Sequence, residues 1–153
     1  MTQGCQTLAL VVLMTGAGVG WIQQPESWID FKLSGTVSLA GRERDVVSCN
    51  ENDDGMQIRA TGDWKVTFDV PSAAPGRHEA RVHVSAPESV TALHDRDPRT
   101  DDHLTGRAVV TGAPAGTGAM GLPLLRVEFD APGLTSGTGV KVDLTGVLVC
   151  PVS

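Results

Sequence analysis

Five stretches of this chain alternate apolar and polar residues, and that period of two constrains the fold more than any other feature. Phe31, Leu33, Gly35, Val37 and Leu39 fall on one face of an extended strand, with Lys32, Ser34, Thr36 and Ser38 on the other. Trp64, Val66, Phe68 and Val70 alternate with Lys65, Thr67 and Asp69. The same holds for Ala80, Val82 and Val84, for Leu125, Val127 and Phe129, and for Val140, Val142 and Leu144. Each pattern is that of a strand with one buried face and one wet face. After the first 25 residues no stretch holds a helical period over three turns. Turn chemistry breaks the strands at Ala40–Glu43, Asn50–Gly55, Pro71–Gly76 and Ala131–Gly137. Connections this short leave no room for crossover helices, so the pairing is expected to be antiparallel. The expected fold is all-β, an antiparallel β-sandwich or small barrel of about seven or eight strands. Residues 86–121 are rich in Gly, Pro and Asp and read as one long irregular loop. Trp64 belongs to the buried face of its strand, and Trp28 reads as a cap on the core ahead of the alternative, an exposed contact.

The first charged residue is Glu26. Before it, Leu8–Met14 is continuously apolar, and Thr15–Gly20 consists of small residues and one valine. Residues 1–24 therefore read as a signal peptide or membrane anchor, and 25–153 as a single β-sandwich domain. The apolar run is short for a span, which needs about 20 residues. Export would place the domain in an oxidising space, cell envelope or extracellular, with membrane contact only through the N-terminal segment. A formal net charge of −6, without any Lys/Arg-rich run, disfavours nucleic acid as a partner.

Cys49 ends a strand in phase with Val47, and Cys150 ends the last strand on the parity of Leu144 and Leu148. Both thiols can face the core, as a bridge or as two buried thiols. A bridge would close a loop of about 100 residues, worth ~4–5 kcal/mol in the chain-entropy model.

Ser34-Gly-Thr-Val-Ser-Leu-Ala-Gly41 followed by Val46-Val-Ser-Cys49, together with Val140–Cys150, resembles the two ends of the mycobacterial 19 kDa lipoprotein antigen family. The resemblance implies a small exported β-rich domain at the actinobacterial cell envelope, lipoprotein-like, with no catalytic activity. It also implies a disulfide between Cys49 and Cys150. The family's lipobox cysteine has no counterpart here: Gly18-Val19-Gly20 leads into Trp21, and Cys5 precedes the apolar run.

Chemistry-bearing motifs are sparse. Gly116-Thr-Gly-Ala-Met-Gly121 spells GxGxxG, but a dinucleotide site needs a helix to follow, and Leu122-Pro123 leads into a strand. Asn50–Gly55 mimics the first half of a calcium loop, yet Thr61 stands where the bidentate carboxylate belongs, so a hairpin turn is the better reading. The densest polar cluster spans residues 94–103. There Asp95, Asp97, Asp101 and Asp102, with His94 or His103, could gather around a divalent cation, although Arg96 and Arg99 would partly neutralise it. No nucleophile elbow is present. His83 shares a wet face with Glu79 and Arg81.

These observations predict a non-enzymatic exported binding protein, requiring no cofactor, acting as a surface antigen, a ligand carrier or an envelope partner. Its counterpart would be a small apolar ligand or an envelope protein. Two rival readings are a metal-dependent module or enzyme centred on loop 94–103, and a structural or inhibitory domain that uses an exposed strand edge.

Overall fold

The computed structural model describes residues 26–87, 89–90, 103–137 and 139–153. These form nine strands: β1 (Trp28–Gly35), β2 (Leu39–Arg44), β3 (Val47–Asn52), β4 (Gly55–Thr61), β5 (Lys65–Val70), β6 (Gly76–Ser85), β7 (Leu104–Thr117), β8 (Pro123–Thr135) and β9 (Lys141–Pro151). All belong to one sheet with the order β2-β1-β9-β8-β7-β6-β5-β4-β3, and every neighbouring pair is antiparallel. From β3 to β9 the chain is an uninterrupted meander; β1 then pairs with β9, and β2 folds back on β1.

The fold is thus all-β and antiparallel, a single curled sheet rather than two stacked ones. The two edge strands, β2 and β3, are consecutive in the chain, joined by Asp45 and Val46 alone. Asp45 takes a left-handed conformation (φ 59°), which Asp tolerates better than most residues and which turns the chain sharply between the edges. The edges are then laced together. Asp45 N–H donates to the Ser27 carbonyl (2.8 Å), Thr61 N–H to the Val46 carbonyl (3.0 Å) and Trp64 N–H to Glu43 Oε1 (3.1 Å). The buried Ser27 hydroxyl accepts from Val47 N–H at 3.2 Å. Beyond β9, Val152 bridges Cys49 in parallel, Ser153 N–H donates to the Cys49 carbonyl (3.0 Å), and Glu51 N–H donates to the Ser153 carbonyl (3.0 Å). Cys49 and Cys150 are joined by a disulfide, with Cα atoms 5.7 Å apart and both residues fully buried.

Inward positions fill the concave side with one continuous core. Ile29, Phe31, Leu33, Ile58, Val66, Phe68, Leu104, Phe129, Leu134, Leu144 and Leu148 are all buried. Phe31 meets Trp64 edge-on at 5.3 Å between ring centres, and Phe68 meets Phe129 at 5.0 Å. Three aromatic–glycine pairs let the sheet bend tightly. Phe31 stands opposite Gly41 on one side and Gly146 on the other, and Phe129 also faces Gly146. A Cβ on Gly146 would collide with the Asp30 carbonyl oxygen and crowd the Phe129 ring, with Cε2 at 3.0 Å. Rings laid over strand glycines supply the apolar cover that those glycines lack. Most outward positions are charged or polar, and Trp28, Val109 and Val147 are apolar exceptions on that face.

Three expectations need correction. The alternation over 31–39 is not one strand. Gly35 (φ 126°) ends β1, and a side chain there would meet the Lys141 carbonyl oxygen at 2.7 Å; residues 40–43, expected to turn, lie within β2. Residues 86–121 are not one irregular loop, since Leu104–Thr117 is β7, and with β2 it raises the strand number to nine. Trp28 does not cap the core: it lies within β1 on the outward parity of Asp30 and Lys32, half-buried.

Two outcomes test this architecture by denaturant unfolding. Replacing both bridge cysteines (Cys49→Ser with Cys150→Ser) should lower the unfolding free energy by about 4–5 kcal/mol, a large share of the stability of a typical domain. Gly146→Ala should cost about 2 kcal/mol, the usual penalty for forcing atoms into a filled site, whereas Gly112→Ala, whose added carbon would meet nothing nearer than Leu125 Cδ1 at 3.4 Å, should cost less.

Candidate functional site

Because the concave side is packed, chemistry must lie on the rim or the outer face. Beneath Met56, Ile58, Val70, Val110, Leu125 and Val127 about 20 Å³ is free, room for one water. That leaves no cavity there for a small apolar ligand.

The antiparallel register gathers outward side chains into rows. One row runs Gln57–Asp69–Arg81–Arg107 across β4 to β7. Asp69, Arg81 and Arg107 of this row line a groove of about 560 Å³, together with Asn52, Asp54 and Glu79. Arg59 Nη2 donates to Gln57 Oε1 (2.9 Å), and Gln57 Nε2 donates to Asp69 Oδ1 (3.1 Å), a relay that fixes the Asp69 carboxylate. Arg107 lies 3.8 Å from Glu79, a loose and exposed pair that contributes little stability. Arg81 and Arg107 stand directly opposite one another, and like charges in such a pair are unfavourable.

A second row, Arg77–Thr111–Glu128–Val147–Asp30–Arg42, crosses β6 to β2. Two concavities of about 580 and 390 Å³ lie along it and share Thr145, Gly146 and Val147. Gly146 is what makes the face concave there. Trp28, Val109 and Val147 form its apolar part, and Arg77, Arg126, Glu128 and Asp130 surround them. At its far end Arg42 grips Asp30 through two hydrogen bonds, at 2.6 and 3.0 Å. The hydrogen bond to the Asp30 carboxylate, and then its charge, raise the Arg42 pKa above the ordinary value.

The motifs singled out in the sequence fare differently. The calcium-like Asn50–Gly55 is the end of the β3–β4 hairpin: Asp54 N–H donates to Asn52 Oδ1 (3.0 Å), and Gly55 takes φ 138°. Its acidic side chains do not converge. Of Gly116–Gly121, the first two residues end β7 and the rest enter the β7–β8 connection, closed by Gly118 N–H to the Leu122 carbonyl (2.9 Å) and anchored by Ala119 N–H to Glu26 Oε1 (2.5 Å). A strand follows it, so the dinucleotide geometry is not formed. Of the acid/imidazole cluster, His94, Asp95, Asp97, Asp101 and Asp102 lie outside the described residues. His103 is described, half-buried just before β7, and its ring packs on His83 at 4.2 Å between ring centres. Among the described residues no group of three or more His, Cys, Asp or Glu is placed to hold a metal ion. His78 Nε2 lies 2.8 Å from the Ala74 carbonyl oxygen.

The comparisons return no relatives: no family model, curated protein or solved structure matches this chain.

Sequence reasoning missed both grooves. Trp28 was visible as an aromatic residue out of phase with Ile29 and Phe31, the one signal that could have pointed to the outer face. The hairpin reading of Asn50–Gly55 has a direct test. Raising calcium to about 1 mM, the range of extracellular calcium modules, should leave the melting temperature unchanged in a thermal unfolding scan.

Proposed function

We propose that this chain is a non-enzymatic, exported binding module of the cell envelope or extracellular space, which engages a protein partner through the outer face centred on Trp28 and Gly146. The single observation that carries this reading is the composition of that face. Trp28, Val109 and Val147 sit in a shallow concavity, and Arg77, Arg126, Glu128 and Asp130 ring it. Aromatic and arginine anchors within a polar rim are the usual makeup of a protein interface. The filled core favours such a partner over a small apolar ligand, and the mixed charge of the face favours a partner whose own surface carries both signs. A strand-edge mode of binding has less to work with. The β3 edge is already bonded to Ser153, which leaves β2 as its only candidate among the described edges.

Export is supported by the apolar leader and by the disulfide, a bond that persists in oxidising compartments. The likeness of the two ends of the domain to the mycobacterial 19 kDa lipoprotein antigen family supports an envelope location. The bridge itself serves stability rather than chemistry: both sulfurs are buried and no thiol remains as a nucleophile in the domain.

Two measurements test this reading. Intact-mass analysis of the protein from its native host should give a chain lacking the leader, lighter before reduction by the two hydrogens lost on bridging. An uncut, fully reduced chain would falsify the exported reading. Trp28→Ala should change stability by less than about 1 kcal/mol, as expected for a side chain outside the core, yet reduce capture of the partner in quantitative crosslinking of intact cells. Undiminished capture by this variant and by Arg126→Glu would remove the face from consideration.

A further inference from the structure

The His83–His103 contact has no part in the core, the seam or the proposed binding face. His83 lies on the wet side of β6, paired with Thr67 of β5 and Thr105 of β7. His103 precedes Thr105 by two residues and is the diagonal neighbour of His83, a separation that aromatic side chains can span. Their ring centres are 4.2 Å apart with planes inclined at 54°. His83 is exposed and His103 half-buried with its Nδ1 enclosed, so His103 Nε2 is the nitrogen left to face an incoming ion.

We propose that His83 and His103 form a two-imidazole site for a divalent transition-metal cation of borderline softness, Cu²⁺, Ni²⁺ or Zn²⁺. Three features of the site support this assignment. Ring centres 4.2 Å apart let side-chain rotation bring one nitrogen of each to the ~2.0–2.1 Å metal distance, with water completing the coordination. The flanking cross-strand residues, Thr67 and Thr105, carry hydroxyls rather than carboxylates. A site built on nitrogen selects first-row transition metals over Ca²⁺ and Mg²⁺, which demand several oxygen ligands. Of the cations on this face, Arg81 and Arg107 flank the pair; Arg107 lies 3.8 Å from Glu79, and Arg59, two strands from His83, donates to Gln57 Oε1 at 2.9 Å. The net charge of −6 further favours cation approach.

The site is independent of the proposed partner face, and either can fail without the other. Isothermal titration of the disulfide-intact protein with CuCl₂ and NiCl₂ should show a single site per chain, tighter for Cu²⁺ than for Ni²⁺ in line with the general affinity order. Millimolar Ca²⁺ should not compete. Electron paramagnetic resonance of the protein with one equivalent of Cu²⁺ should show coupling to two imidazole nitrogens. His83→Ala and His103→Ala should each weaken binding by about tenfold or more, the scale on which such sites respond to lost support, while His78→Ala leaves it unchanged. In the unmodified protein, Cu²⁺ should protect His83 and His103 together from acylation by diethyl pyrocarbonate, a reading that needs no variant to fold. The proposal is overturned if the protein binds neither metal, if either variant retains full affinity, or if the copper spectrum reports one imidazole.

Discussion

The structure depends on a length mismatch. Nine strands laid flat place the two edges roughly 38 Å apart, eight spacings of about 4.8 Å. The chain allows the edges only the three Cα steps from Arg44 to Val47, a reach of about 11 Å. The sheet must therefore curl until β2 and β3 come together, and every inward side chain is thereby enclosed. The disulfide imposes a second limit of the same kind. Six strand spacings separate β9 from β3 through the meander, yet the Cα atoms of Cys150 and Cys49 lie 5.7 Å apart. The seam needs few contacts of its own, since the covalent links hold its sides together. The bonds from Ser27, Glu43, Val46 and Ser153 then satisfy edge groups that would otherwise invite another chain.

Curling also explains the distribution of glycine and phenylalanine. A sheet bent this tightly brings inward side chains on neighbouring strands too close for every position to carry a large one. Gly41 and Gly146 give way to Phe31 and Phe129, and Gly106 gives way to Leu134, whose Cδ2 would lie 2.7 Å from an added carbon. The same yielding at Gly146 hollows the outer face beside Trp28. The packing solution inside and the concavity outside are thus one feature seen from two sides.

This trade between large and small residues decided what could be read in the sequence. Strands β5, β6, β8 and β9 carry apolar residues at most inward positions, and their alternation is plain. Strand β7 is equally regular, but its inward positions read Leu104, Gly106, Ala108, Val110 and Gly112. Glycines that make room for Leu134 and Leu125 look like loop residues until the opposing strand is known. The 31–39 alternation misled for the opposite reason: Val37 continues the pattern through a turn that Gly35 imposes by its conformation. Cysteine parity was legible because Val47 and Leu148 set the phase on each side. The grooves were not, because Arg81 with Arg107, and Trp28 with Arg126, become neighbours only through register.

The topology also implies an order of assembly that suits the proposed export. Neighbours from β3 to β9 are joined in sequence, mostly by short turns, so their hairpins form from local contacts and close early. The pairing of β1 with β9 is different in kind: Thr36 Oγ1 donates to the Lys141 carbonyl across 105 residues, and the bridge spans 101. Such contacts carry a large loop-closure entropy and become favourable only once the meander has built the surface that receives them. Until then β3 and β9 present open edges and a bare apolar face. Bonding Cys49 to Cys150 removes that loop entropy permanently, and the seam then closes as an intramolecular step. A chain that curls by tethering its own edges gains most from an oxidising compartment, because there the slowest contact is made covalent.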